Sequence, residues 1–177
     1  MTDQSPAAAI LSQVETVDWA AYIMGPTLDS YDPPTVTPAF AELLESTTDL
    51  EAHRAYNRVL DTIIHNHSGW LYAASVPAAV ILAKIVRDMS GAPQQAAIEV
   101  LIDLLSWASP DLEFVDPHGS TIALRQSIQD AVTSLQPTLL TLANPTPEKP
   151  LIQLAADLLE VLHDTGQTPT PANQTAL

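Results

Sequence analysis

Cysteine is absent from the 177-residue sequence, and aromatic residues and glycine are scarce. Without cysteine the chain can form no disulfide bond and offers no thiolate as a nucleophile or metal ligand. Aromatic residues make up 5% of the chain, and only five residues are glycine. A β-sandwich normally needs more aromatic and turn-forming residues than this, so the composition disfavours an all-β fold.

Basic residues are also few. Six lysines and arginines face 21 aspartates and glutamates, which gives a formal net charge of -15. Nonspecific binding to nucleic acid depends on Lys and Arg against phosphate, and anionic membrane surfaces attract the same residues. We therefore expect neither nucleic acid nor a membrane as a partner. Two interpretations of the charge stay open, namely solubility alone and electrostatic steering toward a basic protein.

The sequence also lacks a long uninterrupted apolar run. Its longest apolar stretch, residues 70–86, contains Ser75, Pro77 and Lys84, which is typical of a buried helix rather than a membrane span. Residues 1–11 lack the basic start of a secretory signal. We therefore expect a cytoplasmic protein.

Apolar residues at helical spacing dominate what is present. The segment Thr48-Asp49-Leu50-Glu51 has the pattern of a helix-capping box, and Tyr56, Leu60 and Ile63 follow it at three- and four-residue steps. Similar patterns predict further helices within residues 2–24, from Thr37 as the N-cap and Pro38 in the first turn, and at about residues 72–89, 93–108, 120–135 and 147–163. Pro137 is predicted to kink the helix at 120–135 or to divide it from a short segment that contains Leu139, Leu140 and Leu142. Residues 109–120 are predicted to form an acidic loop, and no convincing strand is found.

These elements predict an all-α protein. We expect one helical domain, residues 1–164, followed by a flexible C-terminal tail, residues 165–177. Helix pairs of about 40 residues joined by short turns favour a HEAT- or armadillo-like α-solenoid of antiparallel helix pairs. An irregular helical bundle is the alternative.

One stretch of the sequence points to a family. The polar turn at residues 65–69 is followed by Trp-Leu-Tyr-Ala-Ala-Ser-Val-Pro-Ala at residues 70–78 and by an Ile/Leu-rich helix. Together, residues 56–107 resemble small bacterial HEAT-like helical-repeat proteins, some of which resemble polymorphic-toxin immunity proteins. The resemblance implies a protein that binds and neutralises a cognate secreted toxin. It transfers no catalytic residue and no contact residue to this chain.

The sequence gives only weak indications of catalytic groups. The consecutive residues at 65–67, His-Asn-His, are better suited to ending a helix than to forming a nuclease site. The pairs Asp61/His65 and Glu99/Asp103 have the four-residue spacing of acid/base partners, but solvated pairs at this spacing are far more common. No metal-binding or phosphate-binding motif is present. We therefore predict no enzymatic activity, no catalytic or metal site and no cofactor.

Two predicted loops combine acids with an aromatic residue. The candidate partner-binding residues are Asp29, Tyr31 and Asp32 in the first loop, and Asp111, Glu113, Phe114 and Asp116 in the second. A Tyr or Phe between carboxylates can fill a pocket of the partner while the charges pair with Lys or Arg. The alternative is an ordinary solvated loop whose aromatic residue folds back on the core. Nine acids precede the first basic residue, Arg54, which makes the N-terminal third the most negative part of the chain.

These patterns lead to a hypothesis of function. The chain is predicted to be a protein-binding inhibitor, an immunity protein that neutralises a bacterial toxin through an acidic surface. Its partner would be a basic protein, such as a secreted toxin or effector domain. The alternative is a peptide-binding scaffold or adaptor of the helical-repeat type.

Overall fold

The computed structural model describes residues 5–22, 31–65, 70–109, 112–143 and 149–166. Within these ranges the chain is mostly helical, which confirms the prediction of an all-α protein. The α-helices are α1 (Pro6–Thr16), α2 (Val36–Glu45), α3 (Asp49–Ile63), α4 (Ser75–Asp88), α5 (Ala92–Trp107), α6 (Leu124–Thr133), α7 (Gln136–Leu142) and α8 (Lys149–Gly166). Two short 3-10 helices span Trp19–Tyr22 and Pro33–Thr35. The described residues also contain four strands, β1 (Ile64–His65), β2 (Trp70–Leu71), β3 (Glu113–Val115) and β4 (Thr121–Ala123).

The start of α3 follows the predicted capping box. The Thr48 hydroxyl oxygen accepts a hydrogen bond from the Glu51 N–H at 3.3 Å, and the Glu51 carboxylate accepts one from the Thr48 N–H at 3.1 Å. These bonds satisfy donors that every helix start leaves without a partner in the helix. The prediction that Thr37 is the N-cap of the second helix was wrong, since α2 begins at Val36 and its N-cap is Thr35.

Helix α5 lies at the centre of the core. It packs against α2, α3, α4, α6 and α8, and its Ile98, Leu101 and Leu104 side chains are fully buried. In a solenoid each repeat contacts only its neighbours along the chain. The solenoid arrangement is therefore not confirmed, and these contacts fit the alternative, an irregular helical bundle.

Two antiparallel hairpins were not predicted. Strand β1 pairs with β2, and β3 pairs with β4 so that Phe114 lies opposite Ile122. The predicted acidic loop at residues 109–120 is thus partly a hairpin. Helix α6 begins only at Leu124, later than predicted, because residues 121–123 belong to β4.

The C-terminal part follows the prediction with small shifts. Pro137 lies in the first turn of α7 and separates that helix from α6. Helix α8 continues to Gly166, two residues beyond the predicted domain boundary, and residues 167–177 of the predicted tail lie outside the described residues. Among the helices that the structure describes, none is long and apolar enough to cross a membrane.

Candidate protein-binding surface

Asp116 organises the turn that joins β3 to β4. One oxygen of its carboxylate accepts hydrogen bonds from the N–H groups of His118 at 2.9 Å and Ser120 at 2.8 Å. The Gly119 N–H donates to the Asp116 carbonyl at 2.9 Å, and Gly119 has a φ of 84°, a conformation that favours glycine. The turn is therefore closed by local bonds, and the Asp116 carboxylate is held in a fixed position.

The hairpin has one inward and one outward face. Successive side chains of a strand point to opposite sides, and Phe114 is buried while Glu113 and Val115 are exposed. Val115 retains 48% of its accessible surface. Its paired residue on β4, Thr121, is also exposed. The outward face thus places an apolar side chain beside the Glu113 carboxylate.

Phe114 attaches this hairpin to the N-terminal part of the chain. Its ring lies 6.4 Å from the ring of Tyr22, measured between centroids. Burial raises the pKa of the Tyr22 hydroxyl, and the negative charges of Asp116 and Asp18 raise it further. Because both carboxylates act on one hydroxyl, Asp18 and the hairpin turn share one part of the surface.

The first predicted loop meets the same region through Trp19. The Tyr31 hydroxyl donates a hydrogen bond to the Trp19 carbonyl at 3.0 Å, and its ring lies 5.0 Å from that of Tyr72. Burial raises the pKa of Tyr31 well above its ordinary value. The adjacent Asp32 is exposed. The 3-10 helix Trp19–Tyr22 therefore contacts both predicted binding segments.

The two candidate aromatic anchors are not available at the surface. Tyr31 is 9% exposed and Phe114 is 6% exposed, so both rings fold back on the core, as the alternative interpretation of the loops states. The described acids of the two segments are at least partly exposed: Asp32, Glu113 and Asp116. Two further candidates, Asp29 and Asp111, lie outside the described residues. Their role in binding stays a prediction.

Sequence reasoning missed two members of this surface, Val115 and Asp18. The segment Asp116-Pro117-His118-Gly119 has the residues that a tight turn favours, with Asp first, Pro second and Gly fourth. Reading that turn as the centre of a hairpin would have placed Val115 on the outward face. No local signal places Asp18 there, because its position depends on the contact between Tyr22 and Phe114. We define the acidic surface as Asp18, Asp32, Glu113, Val115 and Asp116.

A separate polar cluster lies between α3 and α5. The Tyr56 hydroxyl donates a hydrogen bond to the Asp103 carboxylate. Glu99, one turn earlier on α5, lines a neighbouring cleft of about 220 Å³ together with His53. Burial raises the pKa of Glu99, and the charge of Asp103 also raises it, against a hydrogen bond from Gln95 and the charge of His53. The Asp103 carboxylate is thus engaged in a contact between helices.

The predicted acid/base pair Asp61/His65 is not formed on one helix face. Helix α3 ends at Ile63, and His65 belongs to β1, so the helical spacing assumed for Asp61 and His65 does not apply. Asn66 and His67 of the consecutive His-Asn-His lie outside the described residues. Among the residues that the structure describes, no three His, Asp or Glu side chains are placed to hold a metal ion.

The two tryptophans whose side chains the structure describes differ, since Trp19 is buried and Trp107 is partly exposed. The Trp19 ring stacks on Phe40 at 6.0 Å, and its Nε1–H donates to the Val14 carbonyl at 3.1 Å. Trp107, at the end of α5, is 41% exposed. The side chain of Trp70 lies outside the described part of the chain.

Comparisons of the chain with protein families, with curated proteins and with solved structures found no match. The resemblance to HEAT-like immunity proteins therefore stays a prediction.

Proposed function

We propose that this chain is a protein-binding inhibitor of the immunity type, which recognises a basic region of a bacterial toxin through the acidic surface. The observation that carries the proposal is the exposed Val115 on β3, beside the exposed Glu113 and the turn carboxylate of Asp116. An apolar centre with a polar rim is the usual anatomy of a protein interface. The rim acids select a basic partner.

The local structure of the hairpin supports this role. The buried Phe114 ring anchors one strand, and the Asp116 carboxylate closes the turn with two hydrogen bonds. Binding costs conformational entropy when loops become ordered. A hairpin that is already held in place loses less of that entropy, so more of the contact energy appears as affinity.

The charge balance also supports a basic partner. With a net charge of -15, most carboxylates have no Lys or Arg of their own chain to pair with. The described arginine ion pairs, Arg58 with Glu42 at 3.5 Å and Arg87 with Asp88 at 3.1 Å, do not involve the acidic surface. An uncompensated negative field raises the rate at which a basic partner arrives.

Inhibition follows from where the carboxylates would bind. If the toxin acts on nucleic acid, its active site holds phosphate groups with Lys and Arg. Carboxylates of the acidic surface would occupy those positions and exclude the substrate. No catalytic group of this chain is needed for that effect.

The test is capture and inhibition of a candidate toxin domain encoded beside this gene. The wild-type chain is expected to bind the domain and to inhibit its activity at about equal molar amounts. The double variant Glu113→Gln/Val115→Ser should weaken both effects. A matched control, Glu45→Gln/Leu50→Ser, makes the same kinds of change at exposed positions away from the acidic surface. Equal losses in both double variants, or binding without inhibition, would contradict the proposal.

A further inference from the structure

A second surface of the molecule is basic. Helices α1, α4 and α6 line an open cleft of about 400 Å³. Lys84 and Arg87 of α4 and Gln13 of α1 form part of its lining. The lining also contains small or apolar side chains, Val80, Ala83 and Ala131. The cleft therefore combines cations, an amide and an apolar portion.

The charges of this cleft are not neutralised by its own lining. Among the described residues that line it, none is acidic. The Lys84 ammonium donates to the Gln13 amide oxygen at 3.2 Å, which is a neutral partner. Arg87 is ion-paired through Nε with Asp88 at 3.1 Å, and Asp88 is not among the lining residues. Two cations that share a cleft on such an acidic protein concentrate positive potential there.

The dipole of α4 explains only one of the two cations in the cleft. Arg87 lies in the last turn of α4, where the helix dipole favours a cation. The dipole does not account for Lys84, which lies one turn earlier and reaches across to α1. It also does not account for an open space between three helices.

We infer that this cleft binds a small organic anion. Its carboxylate or phosphate group contacts Lys84 and Arg87, and its apolar part lies against Val80, Ala83 and Ala131. The volume falls within the range of small-molecule sites. Charges are screened over about 8 Å at physiological salt, so a small anion in the cleft senses mainly the two nearby cations. A polyanion such as nucleic acid senses the whole negative surface and is repelled.

The probes for a test are butyrate and inorganic phosphate, titrated separately into the isotope-labelled chain at constant ionic strength. Amide resonances of residues around the cleft are expected to shift and saturate with a common dissociation constant. Lys84→Gln and Arg87→Gln should each weaken binding about tenfold, because each removes a charged hydrogen-bond donor. Asp88→Asn should tighten binding, since it removes the carboxylate that competes for Arg87. The control is Arg58→Gln on α3, which should leave affinity unchanged.

Each outcome decides the matter. Saturation by butyrate alone assigns the site to carboxylates, saturation by phosphate alone assigns it to phosphates, and saturation by both supports the shared chemistry. Amide chemical shifts that change linearly with the concentration of both probes, without saturation, would overturn the site. So would equal affinity of wild type and Lys84→Gln, provided that their thermal unfolding curves show both proteins folded.

Discussion

The ring of Phe114 packs against the ring of Tyr22, with centroids 6.4 Å apart and planes inclined by 57°. This contact joins the β3–β4 hairpin to the 3-10 helix near the N-terminus. It explains why Asp18 and Asp116, far apart in sequence, both raise the pKa of one tyrosine hydroxyl. This tertiary contact therefore places Asp18 and Asp116 in one part of the acidic surface.

Replacing Phe114 is expected to loosen the hairpin. Removing a buried aromatic ring typically costs 3–5 kcal/mol, and a surface hairpin can partly close the space, so Phe114→Ala should lower the free energy of unfolding by about 3 kcal/mol. Denaturant titration followed by circular dichroism measures this. Val115→Ala removes an exposed side chain and should change stability by less than about 0.5 kcal/mol. Similar losses for both variants would contradict the inward and outward assignment.

The role of Asp116 in the turn predicts a difference between two substitutions. Asp116→Ala leaves the His118 and Ser120 N–H groups without their acceptor, so their amide protons should exchange with solvent markedly faster. Asp116→Asn keeps an acceptor oxygen and should preserve slow exchange while removing the charge. Hydrogen exchange measured by NMR distinguishes the two. If the amide protons of His118 and Ser120 exchange equally fast in both variants, the charge of Asp116 rather than its hydrogen bonding holds the turn.

The capping box predicts a stability difference between two threonines. Thr48→Ala removes the oxygen that accepts from the Glu51 N–H and should destabilise the chain by about 1 kcal/mol. Thr37→Ala changes a residue inside α2 rather than at its cap, and a much smaller effect is expected. Thermal and denaturant unfolding of both variants provide the measurement. A larger loss at Thr37 would show that the helix boundary is misplaced.

The burial of Glu99 predicts that the stability of the chain depends on pH. Burial raises its pKa in the folded chain above the ordinary value of 4.5, so the folded chain holds this proton more tightly than the unfolded chain does. The contribution of Glu99 to stability is therefore greatest at low pH and declines as pH rises from about 4.5 through the raised pKa. Above that range the ionised carboxylate is a cost.

The variant Glu99→Gln removes the titrating group. It should be more stable than wild type at neutral pH, and the difference should shrink as pH falls toward 4.5 and below. Urea unfolding across this pH range, with Glu45→Gln as an exposed control, gives the comparison. Lower stability of Glu99→Gln at neutral pH would mean that the ionised carboxylate makes a favourable contact that outweighs its burial.

The helices were predictable because their signals are local. The capping box at Thr48–Glu51 and the wide apolar face of α5 each lie within one stretch of sequence, and both helices occur where they were expected. Pro137 separates two helices because a proline is tolerated only in a first turn. Packing between helices depends on residues that are distant in sequence, so it could not be predicted from local patterns. The spacing of the helix pairs favoured a solenoid, and the contacts of α5 do not confirm one.

The hairpins and the candidate site were harder to predict. Strands of two or three residues are too short to show an alternating pattern, so Glu113–Val115 was predicted to be part of a loop. For Tyr31 and Phe114 the sequence left two alternatives open, an exposed aromatic that fills a partner's pocket and one that folds back on the core. Their burial depends on Trp19, Tyr22 and Tyr72, which are remote in sequence. The exposed acids could be predicted from the sequence, whereas the outward position of Val115 could be predicted only by recognising residues 116–119 as the turn of a hairpin.

The most direct test of the central claim is the association rate of the chain with its captured toxin domain, measured as salt increases from about 50 to about 500 mM. If the acidic surface steers a basic partner, the rate constant should fall about tenfold or more, with a smaller slope for Glu113→Gln. Val115→Ser should instead speed dissociation. A rate that does not respond to salt, with both variants indistinguishable from wild type, would contradict the proposed mode of binding.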